Sequence, residues 1–182
     1  MSQTFIGSLD QGTSSTRFMI FDKSGKVVGQ HQLEHRQIMP KAGWVEHDAS
    51  EIWARTQEVI AGALKQAGII GSQLSAIGIT NQRETTVAWD INTGLPLSNA
   101  IVWQDTRTAD YLAGFSAQLT ADITYRTGLA VAPYFSASAF ARAKSWSATA
   151  TRVPFRVEAM ASARFPPMSP APMMAMFISE TR

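Results

Sequence analysis

The stretch that most constrains the fold lies near the N-terminus, where two apolar runs flank a short polar turn. The first run, Thr4–Leu9, ends in the carboxylate Asp10. A glycine and four hydroxyl residues follow, and after Arg17 a second apolar run begins at Phe18. The pattern predicts a strand, a tight turn and a return strand. The backbone N–H groups, hydroxyls and guanidinium of such a turn suit phosphate oxygens, although an ordinary hairpin with a Gly-Thr turn fits the same residues.

Asp10 is the candidate for a metal ion in this turn. A carboxylate at the end of a strand, directly before a phosphate-binding turn, is placed to reach a phosphate-bound Mg²⁺ either directly or through water.

Composition limits the class of protein. The 182 residues are 45 % hydrophobic and 16 % charged, which is typical of a globular domain with a core. No run of apolar residues is long enough to span a membrane, and the N-terminus has no basic segment typical of a secretory signal. The chain has no cysteine, which excludes disulfides and thiolate metal sites. We therefore expect a cytoplasmic protein without a membrane span.

The character of the chain changes near residue 138. Residues 1–138 contain all 12 glycines and carry 10 Lys+Arg against 12 Asp+Glu, whereas residues 139–182 lack Gly, Leu and Asp and have a net charge of +4. Such a composition fits a basic disordered extension or a surface that binds nucleic acid or membrane. It also fits a GC-rich gene read in a shifted frame, which we favour because richness in Ala, Arg, Pro and Ser is what such a frame gives. The scattered charges and the lack of a binding motif argue against nucleic-acid binding.

Hydrophobic patterning predicts the elements of residues 1–138. The D-x-x-E spacing from Asp48 indicates a helix start with a capping box, and the apolar residues after it recur on one helical face that ends near Gly68. A second helix is expected over 106–118. Strands are expected at Thr4–Leu9, Arg17–Asp22, Val27–Arg36, Leu74–Ile79, Thr85–Asp90 and Asn99–Trp103. This order predicts an α/β domain with a mixed sheet flanked by helices.

Polar groups at strand ends are the second set of candidate site residues. Arg83 and Glu84 follow the strand Leu74–Ile79 and offer donors beside an acceptor, as a polyol requires. Trp103 ends another predicted strand and could pack against a carbon chain, with Tyr134 as a further aromatic wall. A surface salt bridge for Arg83 and Glu84, and core positions for the two aromatic residues, fit the same pattern.

Several site classes are excluded or disfavoured. The chain has no P-loop, no dinucleotide-binding glycine motif, no nucleophile elbow and no protein-kinase signature. The spacing of His31, His35 and His47 does not match a zinc site, so we interpret them as structural or surface groups.

Taken together, the motifs resemble the FGGY carbohydrate kinases, in particular the branch that acts on glycerol. The resemblance covers about residues 3–138. Its segments are 9–17, 43–48, 76–86, 99–105, 127–129 and 133–136, in the order and spacing of the family.

The resemblance implies a fold, a reaction and a set of roles. The fold would be an incomplete ribonuclease H-like domain of the actin/hexokinase type. The reaction would transfer the γ-phosphoryl group of MgATP to glycerol, giving sn-glycerol 3-phosphate, in enzymes that are homo-oligomers. By motif, Asp10 would serve Mg²⁺. The phosphates would contact Thr13, Ser14, Ser15 and Arg17, and glycerol would contact Arg83, Glu84, Trp103 and Tyr134.

Departures from the family limit what we expect of this chain. The Gly-Asp-Gln segment with the family's catalytic base and the glycine-rich adenosine site have no match, and no Asp follows Asp122. We therefore expect little or no activity from the 182 residues alone. Three alternatives stay open: a kinase of another polyol or ketose, a non-catalytic module that pairs with a full-length kinase, and a stand-alone phosphate- or nucleotide-binding domain.

Overall fold

A computed structural model describes residues 4–90 and 92–139, together with the backbone of two short strands farther along the chain. The chain divides into two compact units. Unit 1 comprises Met1–Ile38 and His47–Gln82, and unit 2 comprises Met39–Glu46 and Arg83–Arg182.

The described strands and helices follow the predicted order over most of the chain. The strands are β1 (Phe5–Gln11), β2 (Ser15–Phe21), β3 (Val27–Glu34), β4 (Glu46–His47), β5 (Leu74–Thr80), β6 (Ala100–Ile101), β7 (Phe155–Val157) and β8 (Ile178–Glu180). The helices are α1 (Ala49–Ala67), α2 (Ala109–Ala113) and α3 (Ala117–Thr127), and a 3-10 turn spans Gly71–Gln73.

Unit 1 is built on a four-stranded mixed sheet with the order β3-β2-β1-β5. β1 pairs antiparallel with β2 and parallel with β5, and α1 provides the connection that a parallel pair requires. The predicted mixed sheet flanked by a helix is confirmed.

Helix α1 begins and ends as its sequence predicts. The Asp48 side chain accepts hydrogen bonds from the N–H groups of Ser50 and Glu51, and Gly68 ends the helix with a φ of 66°. The reciprocal half of the predicted capping box does not form, because the Glu51 carboxylate accepts the N–H of Arg36 instead.

The core of unit 1 lies between the sheet and α1. Phe18 and Ile20 on β2 are fully buried, as are Val59 and Ala63 on the predicted apolar face of α1. Gly29 on β3 permits this packing, since a Cβ there would lie 2.4 Å from the Ala63 carbonyl oxygen.

Part of the sheet in unit 1 stays exposed. Ile6 on β1 and Ile77 and Ile79 on β5 are each about half exposed. Among the described strands, β5 pairs only on its β1 side. Ile77 and Ile79 pair with Gly7 and Leu9, whereas Ile6 pairs with Ala76, so the exposed apolar side chains lie on both faces of the sheet near the β5 edge.

Unit 2 differs from the predictions in two places. The expected strand Thr85–Asp90 is wrong: among the described residues it forms two isolated bridges, Thr86 with Ile101 and Trp89 with Pro96, in place of a continuous strand. The expected helix over 106–118 is two helices, because the Ser116 side chain accepts the N–H of Leu119 and caps a new helix.

The prediction for residues 139–182 lies largely outside the described residues. β7 pairs antiparallel with β8. The expected domain boundary at 138 and the origin of the tail stay predictions. Along the part of the chain that the structure describes, no helix has the length and apolar character needed to cross a bilayer.

Candidate functional site

The polar turn of unit 1 lies between β1 and β2, and its two charged candidates bind each other. Asp10 and Arg17 are directly opposite in the antiparallel ladder, and their side chains form a 2.8 Å ion pair. Both side chains are more than a third exposed. The predicted contacts of Asp10 with Mg²⁺ and of Arg17 with phosphate stay predictions, and each would require this exposed pair to open.

The hydroxyl residues of the turn have distinct environments. Ser14 is exposed, whereas Thr16 is fully buried and donates to the Gln11 side chain at 2.7 Å. The Ser15 hydroxyl accepts a 2.8 Å hydrogen bond from Gln32 on β3. The turn thus combines one buried hydroxyl that fixes its base with others at its tip.

Two histidines lie buried behind the turn. The rings of His35 and His47 meet edge to face at 4.6 Å, and the Nδ1 atom of each is buried without a hydrogen-bond partner. Burial lowers the pKa of both imidazoles, that of His47 to about 4, and the neighbouring ring of His35 adds to the shift of His47. The two rings are therefore neutral at pH 7.

Glu84 is the best fixed of the polyol candidates in unit 2. Its carboxylate accepts hydrogen bonds from the Ser136 N–H at 2.8 Å and from the Ser136 hydroxyl at 2.9 Å. Its backbone has a φ of 64°, which for a residue other than glycine costs about 1–2 kcal/mol. The fold thus holds this carboxylate in a strained position with two donors on one oxygen.

The predicted aromatic wall forms beside Glu84. Trp103 and Tyr134 meet at 5.6 Å with their ring planes 68° apart, and both line a small cavity together with Glu84 and Ser136. Arg83 is exposed and does not line this cavity. The structure therefore brings together three of the four polyol candidates, and it leaves Arg83 outside that group.

A buried ion-pair cluster supports the segment that carries Trp103. The Arg107 guanidinium binds Asp105 and Glu46 at 2.7 Å each, and it lies 3.8 Å from the ring centre of Trp44. Burial alone would lower the pKa of Arg107, but its hydrogen bonds to the two carboxylates raise it above the ordinary value. Because the guanidinium is already paired with both carboxylates, this cluster fixes the backbone rather than offering a reactive group.

The larger cavity of unit 2 is apolar. It has a volume of about 440 Å³ and is lined largely by aromatic and aliphatic residues of α2, α3 and the segment 129–138. Among the described residues of its lining, Glu84 is the one that carries a charge. Its lining offers a polyol few hydrogen-bond partners, and the small cavity, with a volume of about 10 Å³, has room for no more than about one water molecule.

Sequence reasoning missed several residues that shape the site. The sequence marks Ser136 only as the last residue of the segment 133–136, and it gives no sign that His35 and Gln37 lie near the turn. No local signal shows that Ser136 reaches Glu84, since 52 residues separate them. Across the described ranges, no group of three or more His, Asp and Glu side chains is placed to hold a metal ion.

Comparison with known proteins gives a consistent family. Residues 5–144 match the FGGY family of carbohydrate kinases, N-terminal domain. Glycerol kinase 1 of Streptomyces coelicolor is 59 % identical over 133 residues, which are 72 % of this chain and 26 % of that protein. Glycerol kinase of Haloferax volcanii is 55 % identical over 137 residues, which are 75 % of this chain and 27 % of that protein. The chain thus spans about a quarter of the length of these curated relatives.

A solved structure has the same fold. The crystal structure of Plasmodium falciparum glycerol kinase with ADP superposes with a TM-score of 0.70 at 36 % identity, over 82 % of this chain and 29 % of that one. The expected fold class, a partial ribonuclease H-like, actin-like domain with a mixed sheet and helices, is confirmed. The family match also continues to residue 144, six residues beyond the boundary that composition indicates.

Proposed function

The chain belongs to the FGGY family of carbohydrate kinases through their N-terminal domain, and from that premise we propose that it provides the polyol wall and one phosphate-binding turn of a glycerol kinase. The reaction is the transfer of the γ-phosphoryl group of MgATP to glycerol. A glycerol hydroxyl oxygen forms the new P–O bond and gives its proton to a general base, the bond from the γ-phosphorus to the β,γ-bridging oxygen breaks, and ADP leaves.

The observation that carries this proposal is the fixed carboxylate of Glu84 beside an aromatic pair. Ser136 occupies one carboxylate oxygen with two donors, so the other oxygen can accept from a substrate hydroxyl without losing its orientation. The rings of Trp103 and Tyr134 offer C–H groups of a polyol an apolar surface next to that acceptor. The exposed Arg83 would supply the matching donors.

The turn of unit 1 supplies the second part of the proposal. Thr13, Ser14 and Ser15 offer hydroxyl and backbone donors to phosphate oxygens. Asp10 offers carboxylate oxygens, which are the ligands that Mg²⁺ prefers, so its chemistry fits the metal of MgATP. Opening the exposed Asp10–Arg17 pair costs at most about 1 kcal/mol, and it would release Arg17 toward phosphate.

Glycerol is the substrate we propose because curated relatives that are 55–59 % identical to this chain are glycerol kinases. A ketose or another polyol remains the alternative within the same family. For the 182 residues alone we expect ADP release no faster than the blank, since the family's Gly-Asp-Gln segment has no match in them and a general base contributes about 10²–10⁴ in rate.

Binding of glycerol to the chain tests the proposal directly. The indole N–H resonance of Trp103, assigned by comparison with Trp103→Phe, is followed in a ¹⁵N-labelled sample during titration with glycerol. We expect it to shift with glycerol, and we expect Glu84→Ala to abolish the shift.

Two comparisons make the titration decisive. Glu34→Ala removes an exposed carboxylate of β3 in unit 1 and is expected to bind glycerol like the unchanged chain. A titration with a five-carbon ketose is expected to leave the Trp103 resonance in place. A ketose that shifts it at lower concentration than glycerol would contradict the assignment of the substrate.

A further inference from the structure

The turn between β1 and β2 is held in place through its carbonyl oxygens. The Thr13 carbonyl accepts two hydrogen bonds, from His35 Nε2 at 2.9 Å and from Gln37 Nε2 at 3.0 Å. The Ser14 carbonyl accepts the backbone N–H of His35 at 3.2 Å. Three donors from the end of β3 and the residues after it therefore face one side of the turn.

A second anchor lies one residue earlier. The Gly12 carbonyl accepts a 3.0 Å hydrogen bond from Gln82, which follows β5. The turn is thus tied to the segments that follow both of its neighbouring strands, β3 and β5.

These anchors fix the direction of the backbone N–H groups. In a planar trans peptide the C=O of one residue and the N–H of the next point in opposite directions. The carbonyl of Thr13 faces His35 and Gln37, so the N–H of the exposed Ser14 points to the opposite side of the turn. Successive N–H groups that face one way form a concave surface suited to an anion.

The donors need a defined protonation state for this role. A carbonyl oxygen only accepts, so His35 must carry its proton on Nε2. Gln37 donates through its amide nitrogen, so its oxygen accepts the Nε2–H of His47 at 2.8 Å. The second ring nitrogen of each histidine is buried without a partner, which suits the neutral tautomer. Glu51 and Arg55 on α1 are the charged groups that influence His35.

We infer that His35 and Gln37, with His47 behind Gln37, are positioning residues that aim the Ser14 N–H at a phosphate group of the substrate. The inference rests on the proposed role of this turn in binding MgATP. His35 and Gln37 bind the turn, and His47 contacts both of them, so their effect on binding would act through the orientation of the 13–14 peptide.

Inorganic tripolyphosphate tests phosphate binding by the turn in the absence of glycerol. In the full 182-residue chain labelled with ¹⁵N, we expect the Ser14 amide resonance to shift as the probe is added. His35→Leu removes one hydrogen bond worth about 1 kcal/mol and should weaken the probe's apparent affinity about fivefold. His35→Gln keeps a donor near the position of Nε2 and should restore the affinity to within about twofold.

Matched variants separate positioning from general damage to the fold. His31→Gln alters a β3 histidine whose ring lies by the Glu58 carbonyl rather than the turn, and it should bind the probe as the unchanged chain does. Gln37→Leu should weaken binding like His35→Leu. Amide spectra of each variant report whether unit 1 stays folded, and a long-range ¹H–¹⁵N spectrum reports the tautomer of His35.

Three results would overturn the inference: equal affinity in His35→Leu and the unchanged chain, no rescue by His35→Gln while unit 1 is folded, or a ring proton on Nδ1 of His35. A Ser14 amide that never shifts would overturn the phosphate role of the turn together with the inference. The glycerol titration read at Trp103 tests the polyol part of the proposed function separately.

Discussion

Acidification should destabilise unit 1 through His47 before most carboxylates are protonated. The ring of His47 is fully buried, and a second proton would place a charge and an unpaired N–H on its Nδ1 atom. Burial, together with the neighbouring His35, therefore lowers the pKa of His47 from 6.5 to about 4. In the unfolded chain the same imidazole titrates near 6.5.

The sign and size of this change in the free energy of unfolding follow from the difference in protons bound by the folded and unfolded chains. Between pH 6.5 and about 4 the unfolded chain binds a proton that folded His47 does not, so the free energy of unfolding falls as the pH falls. At 1.36 kcal/mol for each pKa unit this shift is worth about 3 kcal/mol, and screening by water reduces it to about 1.5–3 kcal/mol. The full contribution is present at pH 7 and is lost at about pH 4.

Urea unfolding, followed by the helical circular dichroism signal at steps from pH 7 to about pH 4, measures this loss. His47→Gln keeps a donor toward Gln37 but has no imidazole to titrate. Over the same pH range its free energy of unfolding should therefore fall by about 1.5–3 kcal/mol less than that of the unchanged chain. Trp53→Phe, on the exposed side of α1, should keep the full dependence. Equal losses in His47→Gln and the unchanged chain, or an NMR titration of His47 near 6.5, would refute the reasoning.

Three further predictions concern single contacts. Ser136→Ala removes the hydroxyl donor to Glu84 and should weaken glycerol binding about fivefold in the Trp103 titration, whereas unchanged affinity would show that the backbone N–H suffices. Gly29→Ala should lower the free energy of urea unfolding by about 1–3 kcal/mol because the added Cβ meets the Ala63 carbonyl oxygen. Gly71 has open space around it, so Gly71→Ala should lower that free energy much less, and equal losses in the two variants would contradict this. Ile79→Lys replaces an exposed apolar side chain of β5 and should reduce the light scattering of concentrated protein. It should change the free energy of unfolding by at most about 0.5 kcal/mol, and a large loss of stability would mean that Ile79 is covered.

The helix and strands of unit 1 could be predicted because their signals are local. Asp48 caps α1, Gly68 ends it with a positive φ, and the apolar residues between them recur at helical spacing. The four strands of the sheet are likewise bounded by turns that the sequence marks. Each of these features depends on residues within one turn of a helix or along one strand.

Of the two errors in unit 2, one has a tertiary cause and the other a local one. Residues 85–90 have the composition of a strand, yet their backbone pairs at isolated positions with Ile101 and Pro96, so no continuous ladder forms. The helix expected over 106–118 ignores Ser116, whose side chain satisfies the N–H of Leu119 and starts a second helix. That capping signal was present in the sequence and could have been used.

The candidate site also has a part that the sequence could predict and a part that it could not. Residue types and their order in the chain were enough to propose Glu84, Trp103 and Tyr134 as candidates, and their roles stay predictions. The geometry of Glu84 was not predictable, since a positive φ at a glutamate has no local cause. It persists because Ser136, 52 residues away, binds the carboxylate with two donors that offset the backbone cost. A glycine at position 84 would relieve the strain and lose the acceptor, so the strained backbone and the oriented carboxylate are two consequences of one contact. This coupling favours a role of Glu84 in binding over a role in stability.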